Sequence, residues 1–134
     1  MAALIVILML ALIALFCVVF FSRRRKFSEK DQRMFIERWQ QVTVGFKNNP
    51  AKRVLDADKL LDFAMSRKGF SGSMGEKLKK ADHYFSRIQE VWYAHKLRNR
   101  IAHEVGYEVS EREAVDALSK FKLALQELGL RLRS

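Results

Sequence analysis

The sequence predicts an all-α protein in which a single transmembrane helix is followed by an antiparallel four-helix bundle. No charged side chain occurs from Met1 to Ser22, and beyond Ser28 apolar residues recur at the three- and four-residue spacing of amphipathic helices. No segment alternates with the period of two that is typical of half-buried strands. We therefore divide the chain into an anchor at 1–22, a basic juxtamembrane linker at 23–27 and a helical bundle at 28–134.

The run from Ala2 to Phe21 is long enough, at about 1.5 Å per residue, to cross a bilayer core of about 30 Å. A cleaved signal peptide is disfavoured because its basic residues would precede the apolar segment, and small residues would mark the cleavage site. A lipoprotein acylated at Cys17 is disfavoured because the bulky Phe16 precedes it. A buried core helix is disfavoured because the run has no polar face.

A cluster of four basic residues follows the apolar run directly: Arg23, Arg24, Arg25 and Lys26. Positive residues that flank a membrane span remain on the cytoplasmic side. The cluster therefore predicts a single-pass membrane protein whose C-terminal domain is cytoplasmic. The lipid bilayer is the first predicted partner.

Four helices are predicted in the bundle. The first runs from Glu29 to about Lys47 with Ser28 as its cap, and the second opens with Asn49 and Pro50 and stops at Gly69. A capping box of Ser73 and Glu76 opens a long third helix, predicted to continue until Gly106 stops it. Its apolar stripe keeps heptad spacing: Leu78, Ala81, Phe85, Ile88, Trp92, His95, Asn99 and Ala102. A second capping box, of Ser110 and Glu113, opens the last helix.

Composition excludes some classes of site. The chain carries 25 Lys and Arg against 15 Asp and Glu, a net charge of +10 that suits an anionic partner such as RNA or lipid headgroups. Cys17 is the only cysteine, so no disulfide framework and no cysteine-based metal site is expected. The glycines between 69 and 75 lack the Gly-Lys-Ser/Thr of a phosphate-binding loop, and we interpret them as an ordinary connection.

Histidine spacing gives no metal site. His103-Glu104 begins like a zinc-protease motif, but Tyr107 stands where the second histidine should be. His95 and His103 lie roughly 12 Å apart on a helix, too far for one ion. We therefore predict no metal and no cofactor, and we expect His95 to pack in the bundle with a hydrogen-bond partner.

One motif remains, near the end of the third helix. The residues Arg98-Asn99-x-x-x-His103 resemble the signature of the HEPN superfamily, whose members are small helical bundles. The resemblance implies Arg98, Asn99 and His103 as catalytic residues of a metal-independent ribonuclease. In that family the arginine and histidine of two protomers meet at a dimer interface, and the ribose 2′-hydroxyl attacks the phosphate. Toxin-type members carry a tyrosine two residues after the histidine, where this chain has Val105.

The chemistry of these residue types fits that role. Histidine exchanges protons near neutral pH, and arginine holds a phosphate through paired hydrogen bonds. The structural alternative is that cations in the last turns of a helix complement its dipole, while Asn99 fixes the register of the bundle. Three hypotheses follow: a membrane-anchored ribonuclease that forms a homodimer; a non-catalytic module that binds RNA or an unidentified protein partner; and a tethered bundle that only dimerises.

Overall fold

The computed structural model describes residues 1–23, 26–45 and 48–133. These residues form six α-helices, which are α1 (Ala2–Arg23), α2 (Glu29–Gln40), α3 (Pro50–Arg67), α4 (Met74–Lys80), α5 (Ile88–His103) and α6 (Glu111–Glu127). A π-helical turn, Gln41–Gly45, extends α2, and a 3-10 turn, Asp82–Tyr84, follows α4. The described residues contain no strand, so the all-α prediction is confirmed for that part of the chain.

The apolar helix α1 is separate from the protein core. Its window Ala2–Phe20 has a mean hydropathy of 3.4, and none of that window is buried. By length and composition the helix can cross a membrane, and its exposure argues against a core helix of a soluble protein. Of the predicted basic cluster, Arg24 and Arg25 lie outside the described residues, whereas Lys26 is exposed.

The predicted helix starts are confirmed by side-chain hydrogen bonds to the backbone. Ser28, Ser73 and Ser110 each form a capping box with the residue three positions later, and the Asn49 side chain accepts from the Lys52 N–H. These bonds satisfy backbone donors that a helix leaves free at its first turn. The predicted end of the first bundle helix, at about Lys47, lies outside the described residues.

Helix α3 lies at the centre of the bundle and packs against α2, α5 and α6. Its buried apolar residues are Val54, Ala57, Leu60, Leu61, Ala64 and Met65. Opposite them lie the buried residues of α6: Ala114, Ala117, Leu118, Phe121, Ala124 and Leu125. Burial of these side chains at helical spacing is the main force that holds the bundle together.

The prediction of one long third helix is wrong. The chain leaves α4 at Ala81, forms the 3-10 turn, and becomes extended at Phe85 (φ −107°, ψ 120°) before α5 begins. The backbone N–H and hydroxyl of Ser86 both donate to the Glu127 carboxylate, which holds the bend against the end of α6. The bend lets Ala81 and Phe85 stay buried although no straight helix joins them to α5.

The predicted heptad stripe is also displaced on α5. The buried residues are Val91, Ala94, His95 and Leu97, whereas Ala102 at the end of the predicted stripe is exposed. The reason is that the bend resets the rotation of α5 relative to α4, so a repeat counted through both helices loses its phase. Asn99 is half-buried, as its place beside this face predicts.

The segment after α6 is fixed to the start of the bundle. The side-chain amide of Gln32 donates to the Gly129 carbonyl at 2.8 Å, and its oxygen accepts from the Arg131 N–H at 3.0 Å. Leu130 and Leu132 are buried beside it. Gly129 has φ +107°, which L-residues rarely adopt, and this turn brings the segment back onto α2.

Candidate functional site around Arg98

Helix α5 carries all three predicted catalytic residues, in its last two turns. The helix ends at His103, because Glu104 is extended and Gly106 adopts a φ of +74°. Asn99 and Arg98 lie towards α3, at the edge of the core. His103 is exposed, and it makes no hydrogen bond or ion pair with the residues that the structure describes.

A buried acid on α3 organises this part of α5. The Oδ1 of Asp58 lies 2.7 Å from the Nδ1 of His95, and the two side chains are only 4% and 10% exposed. A charge taken out of water in this way needs a partner, because isolated burial of a carboxylate is costly. The expectation that His95 packs in the bundle with a hydrogen-bond partner is therefore confirmed.

The same carboxylate also holds Arg98. The Asp58 Oδ2 lies 3.3 Å from the Arg98 Nε in an ion pair that does not have the geometry of a hydrogen bond. The Arg98 Nη1 donates to the Asn99 Oδ1 at 3.0 Å. Arg98 is 26% exposed, and its Nη2 has no intrachain partner among the described residues, so part of the guanidinium remains available to a ligand.

Asn99 connects the arginine to the histidine. Its Nδ2 lies 3.4 Å from the His95 Nε2, a long contact, while its oxygen accepts from Arg98. Both contacts of His95 are satisfied by the tautomer that carries hydrogen on Nδ1, with Nε2 as an acceptor. Asp58, His95, Asn99 and Arg98 thus form one network that fixes the position of the predicted arginine.

The network opens onto a cavity of about 440 Å³. Its walls come from α3, α5, the glycine-rich connection and the first residues of α4, and are formed by Asp58, Lys59, Asp62, Gly72, Ser73, Met74, Gly75, His95, Arg98 and Asn99. His103 does not line it. The structure therefore brings Arg98 and Asn99 together and leaves the predicted histidine apart from them.

The loop after α5 is held by a second polar group. The hydroxyl of Tyr107 accepts from Arg100 and donates to the Glu113 Oε1 at 2.9 Å, while the Arg100 guanidinium lies over the tyrosine ring. Burial raises the pKa of the Tyr107 hydroxyl above its ordinary value, and the hydrogen bond to Glu113 raises it further. Tyr107 is thus bonded to the first turn of α6, whereas Val105 is fully exposed.

Asp58 is a member of the site that the motif alone does not indicate. It stands four residues after Val54 and three before Leu61, on the apolar face of α3. An acid at a core position of an amphipathic helix is the sequence signal that points to a buried polar partner. Among the described residues, no group of three or more His, Cys, Asp or Glu side chains could hold a metal ion.

Comparison with known proteins gives the site no assignment. No protein family, no curated protein and no solved structure matches the chain. The assignment of the site therefore depends on its own residues and their geometry.

Proposed function

We propose that the chain is a membrane-anchored HEPN-like domain that acts on RNA, as a metal-independent endoribonuclease whose site forms between two copies. The observation that carries this proposal is the position of Arg98 and His103 and the contacts that each side chain makes. A network around Asp58 holds Arg98 at a cavity, and His103 projects from the end of the same helix with no hydrogen bond or ion pair to the residues that the structure describes.

Two copies are needed because one helix cannot bring these side chains together. Arg98 and His103 are five residues apart, which separates them by about 140° around the helix and about 7.5 Å along it. A second protomer that presents its own α5 brings the arginine of one copy towards the histidine of the other. This dimer is the arrangement that the HEPN resemblance implies.

The residue chemistry fits cleavage of a phosphodiester. The 2′-hydroxyl of the ribose attacks the adjacent phosphorus, the bond to the 5′-oxygen breaks, and a 2′,3′-cyclic phosphate remains. His103 exchanges the proton that leaves the hydroxyl or reaches the 5′-oxygen. Arg98 stabilises the negative charge on the phosphate oxygens, and Asn99 orients the guanidinium through the bond that it accepts.

The anchor determines where this activity takes place. We infer that α1 spans the membrane once and that the basic cluster at 23–26 keeps the bundle on the cytoplasmic face. We infer also that α2, α3, α5 and α6 form an antiparallel bundle, since these amphipathic helices pack around α3. The nuclease would then act on RNA near the membrane surface.

A ribonuclease assay on the full chain in nanodiscs tests the proposal. Labelled single-stranded and structured RNAs are incubated in the presence of a chelator, between pH 5 and 9. We expect cleavage products that end in a 2′,3′-cyclic phosphate, with an optimum near the histidine range. Intact RNA throughout that range, from a dimeric and folded protein, would remove the enzyme proposal.

The second candidate is a non-catalytic bundle that binds RNA or a protein partner, or that only dimerises. The ion pair between Arg98 and Asp58 favours this candidate. A guanidinium that already pairs with a buried carboxylate gains less free energy when it binds a phosphate. RNA binding without cleavage in the same assay would support this candidate, and dimerisation without RNA binding would leave only the interaction bundle.

A further inference from the structure

A second cavity, of about 720 Å³, shares no lining residue with the one beside Arg98. It is an open groove between α2, α6 and the segment that follows α6. We name it the basic groove, and its lining residues are Glu29, Gln32, Arg33, Ile36, Trp39, Gln40, Thr43, Val44, Arg53, Val115, Leu118, Ser119, Lys122, Arg131, Leu132 and Arg133.

The charge of the basic groove is strongly unbalanced. Glu29 is the one acid among its lining residues, and it pairs with Arg131 at 2.5 Å. Arg53 pairs with Glu111. The three remaining cations, Arg33, Lys122 and Arg133, make no ion pair with any residue in the described part of the chain. An uncompensated cluster of this kind attracts an anionic group.

The groove also has an aliphatic side. Ile36, Val44, Val115, Leu118 and Leu132 contribute to it, and two of them are open to solvent, with Val44 72% and Val115 50% exposed. Its one aromatic lining residue, Trp39, is only 6% exposed. Nucleic-acid bases bind by stacking on accessible aromatic faces, which this groove does not offer. The combination of cations and aliphatic side chains suits a ligand with an anionic head and a hydrocarbon chain.

The chain keeps the groove close to the anchor. Glu29 lines it and begins α2, and the linker from Arg23 to Glu29 can extend over about 20 Å at most. The segment that carries Arg131 and Arg133 is fixed to α2 by the Gln32 bonds. A bilayer that holds α1 is therefore within reach of this end of the groove.

We propose that the basic groove binds an anionic phospholipid such as phosphatidylglycerol. The phosphate lies among Arg33, Lys122 and Arg133, and an acyl chain packs on the aliphatic side. This binding holds the bundle against the membrane surface instead of leaving it free on its tether. The proposal depends on the membrane anchor, and it does not depend on cleavage of RNA.

Tryptophan quenching by brominated lipids tests this proposal on the full chain, because bromine on an acyl chain quenches indole fluorescence at short range. The protein with Trp92→Phe retains Trp39 in the groove, and the matched protein with Trp39→Phe retains Trp92, which lies beside Gly75 near α4. Each protein is placed in nanodiscs of phosphatidylcholine with or without phosphatidylglycerol, and only one of the two lipids is brominated at a time. Thermal unfolding confirms that each variant is folded.

We expect brominated phosphatidylglycerol to quench Trp39 at least twofold more than brominated phosphatidylcholine at equal mole fraction, and to leave Trp92 unchanged. Arg33→Gln with Lys122→Gln should abolish the difference, while the charge-matched control Lys79→Gln with Lys96→Gln should keep it. Val115→Gln should weaken the quenching although it removes no charge, since it interrupts the aliphatic side of the groove.

Four outcomes would overturn the proposal. Equal quenching by the two lipids would mean simple nearness to the membrane, and no quenching of Trp39 would mean that no acyl chain enters the groove. Quenching that survives Arg33→Gln with Lys122→Gln would place the lipid elsewhere. If an RNA oligonucleotide shifts the Trp39 emission in phosphatidylcholine nanodiscs while phosphatidylglycerol does not, the groove binds RNA and not the lipid.

Discussion

The carboxylate of Asp58 lies 2.7 Å from the Nδ1 of His95, and joins α3 to α5 through a contact that is almost completely buried. Its second oxygen faces the Arg98 guanidinium. One acid in the core therefore both stabilises the bundle and positions the residue on which the proposed function depends.

Asp58→Ala should lower the free energy of unfolding by about 3 kcal/mol, because it leaves His95 and Arg98 without their buried partner. The matched control is Asp56→Ala, which removes a more exposed pair with Lys52 and should cost at most about 1 kcal/mol. Denaturant unfolding followed by tryptophan fluorescence measures both. Equal losses for the two variants would show that the buried network adds no more stability than the exposed pair.

His103→Ala should reduce RNA cleavage to background while changing the free energy of unfolding by no more than about 0.5 kcal/mol, because the side chain is exposed and makes no hydrogen bond or ion pair with the described residues. His83→Ala removes another exposed histidine, on the 3-10 turn, and should keep full cleavage. Cleavage that survives in the His103 variant would exclude this residue from the chemistry.

Arg98→Lys should also abolish cleavage, because lysine keeps the charge but loses the planar group that binds two phosphate oxygens. The ammonium can still lie near Asp58, so the loss of stability should be smaller than for Asp58→Ala. Arg112→Lys, at an exposed position on α6, serves as the control. Turnover within twofold of the parent protein for Arg98→Lys would contradict bidentate phosphate binding.

Acid should loosen the helix starts. Bonds from the Ser110 and Ser73 backbone hold the pKa of Glu113 and Glu76 below their ordinary value of 4.5. A carboxyl group whose pKa is lower in the folded state stabilises the fold at any pH above its pKa in the unfolded state. This stability is lost as the pH falls below about 4.5. Circular dichroism should show that the midpoint of thermal unfolding falls with pH in that range. The midpoint should depend less on pH in the double variant Glu76→Gln with Glu113→Gln, and as much as in the parent protein in the control Glu108→Gln. The same pH dependence in the double variant as in the parent protein would contradict the assignment.

A reporter fused after Ser134 should lie on the cytoplasmic side, because the basic cluster follows the apolar run and no charged side chain precedes it. Protease added to intact cells or spheroplasts should leave the reporter whole and cleave it only after lysis. The control replaces Arg23, Arg24, Arg25 and Lys26 with Gln, and should reduce this bias. An external reporter in the parent protein would reverse the predicted topology.

The sequence predicts the features of this fold that depend on near neighbours. The caps at Ser28, Asn49, Ser73 and Ser110 are found where expected, because a serine or asparagine side chain reaches a backbone donor only two or three residues away. The apolar residues of α3 and α6 are buried along one face of each helix, as the three- and four-residue spacing in the sequence predicts.

Features that depend on distant residues are not predicted. The break after Ala81 relies on Ser86 meeting Glu127, 41 residues away, and nothing in the local pattern gives that contact. The candidate site is predicted only in part, for the same reason. The motif gives Arg98, Asn99 and His103, but the acid that fixes the arginine lies 37 residues before its histidine partner, on another helix.

The Gln32 bonds to Gly129 and Arg131 also constrain the order of events during synthesis. Helix α2 is the first helix of the bundle to be made. The two backbone groups that bond the Gln32 side chain are added 97 and 99 residues later. Contacts so distant in sequence form late. If α1 inserts into the bilayer as we propose, it can do so before the bundle closes, because until then Leu130 and Leu132 are still missing from the core.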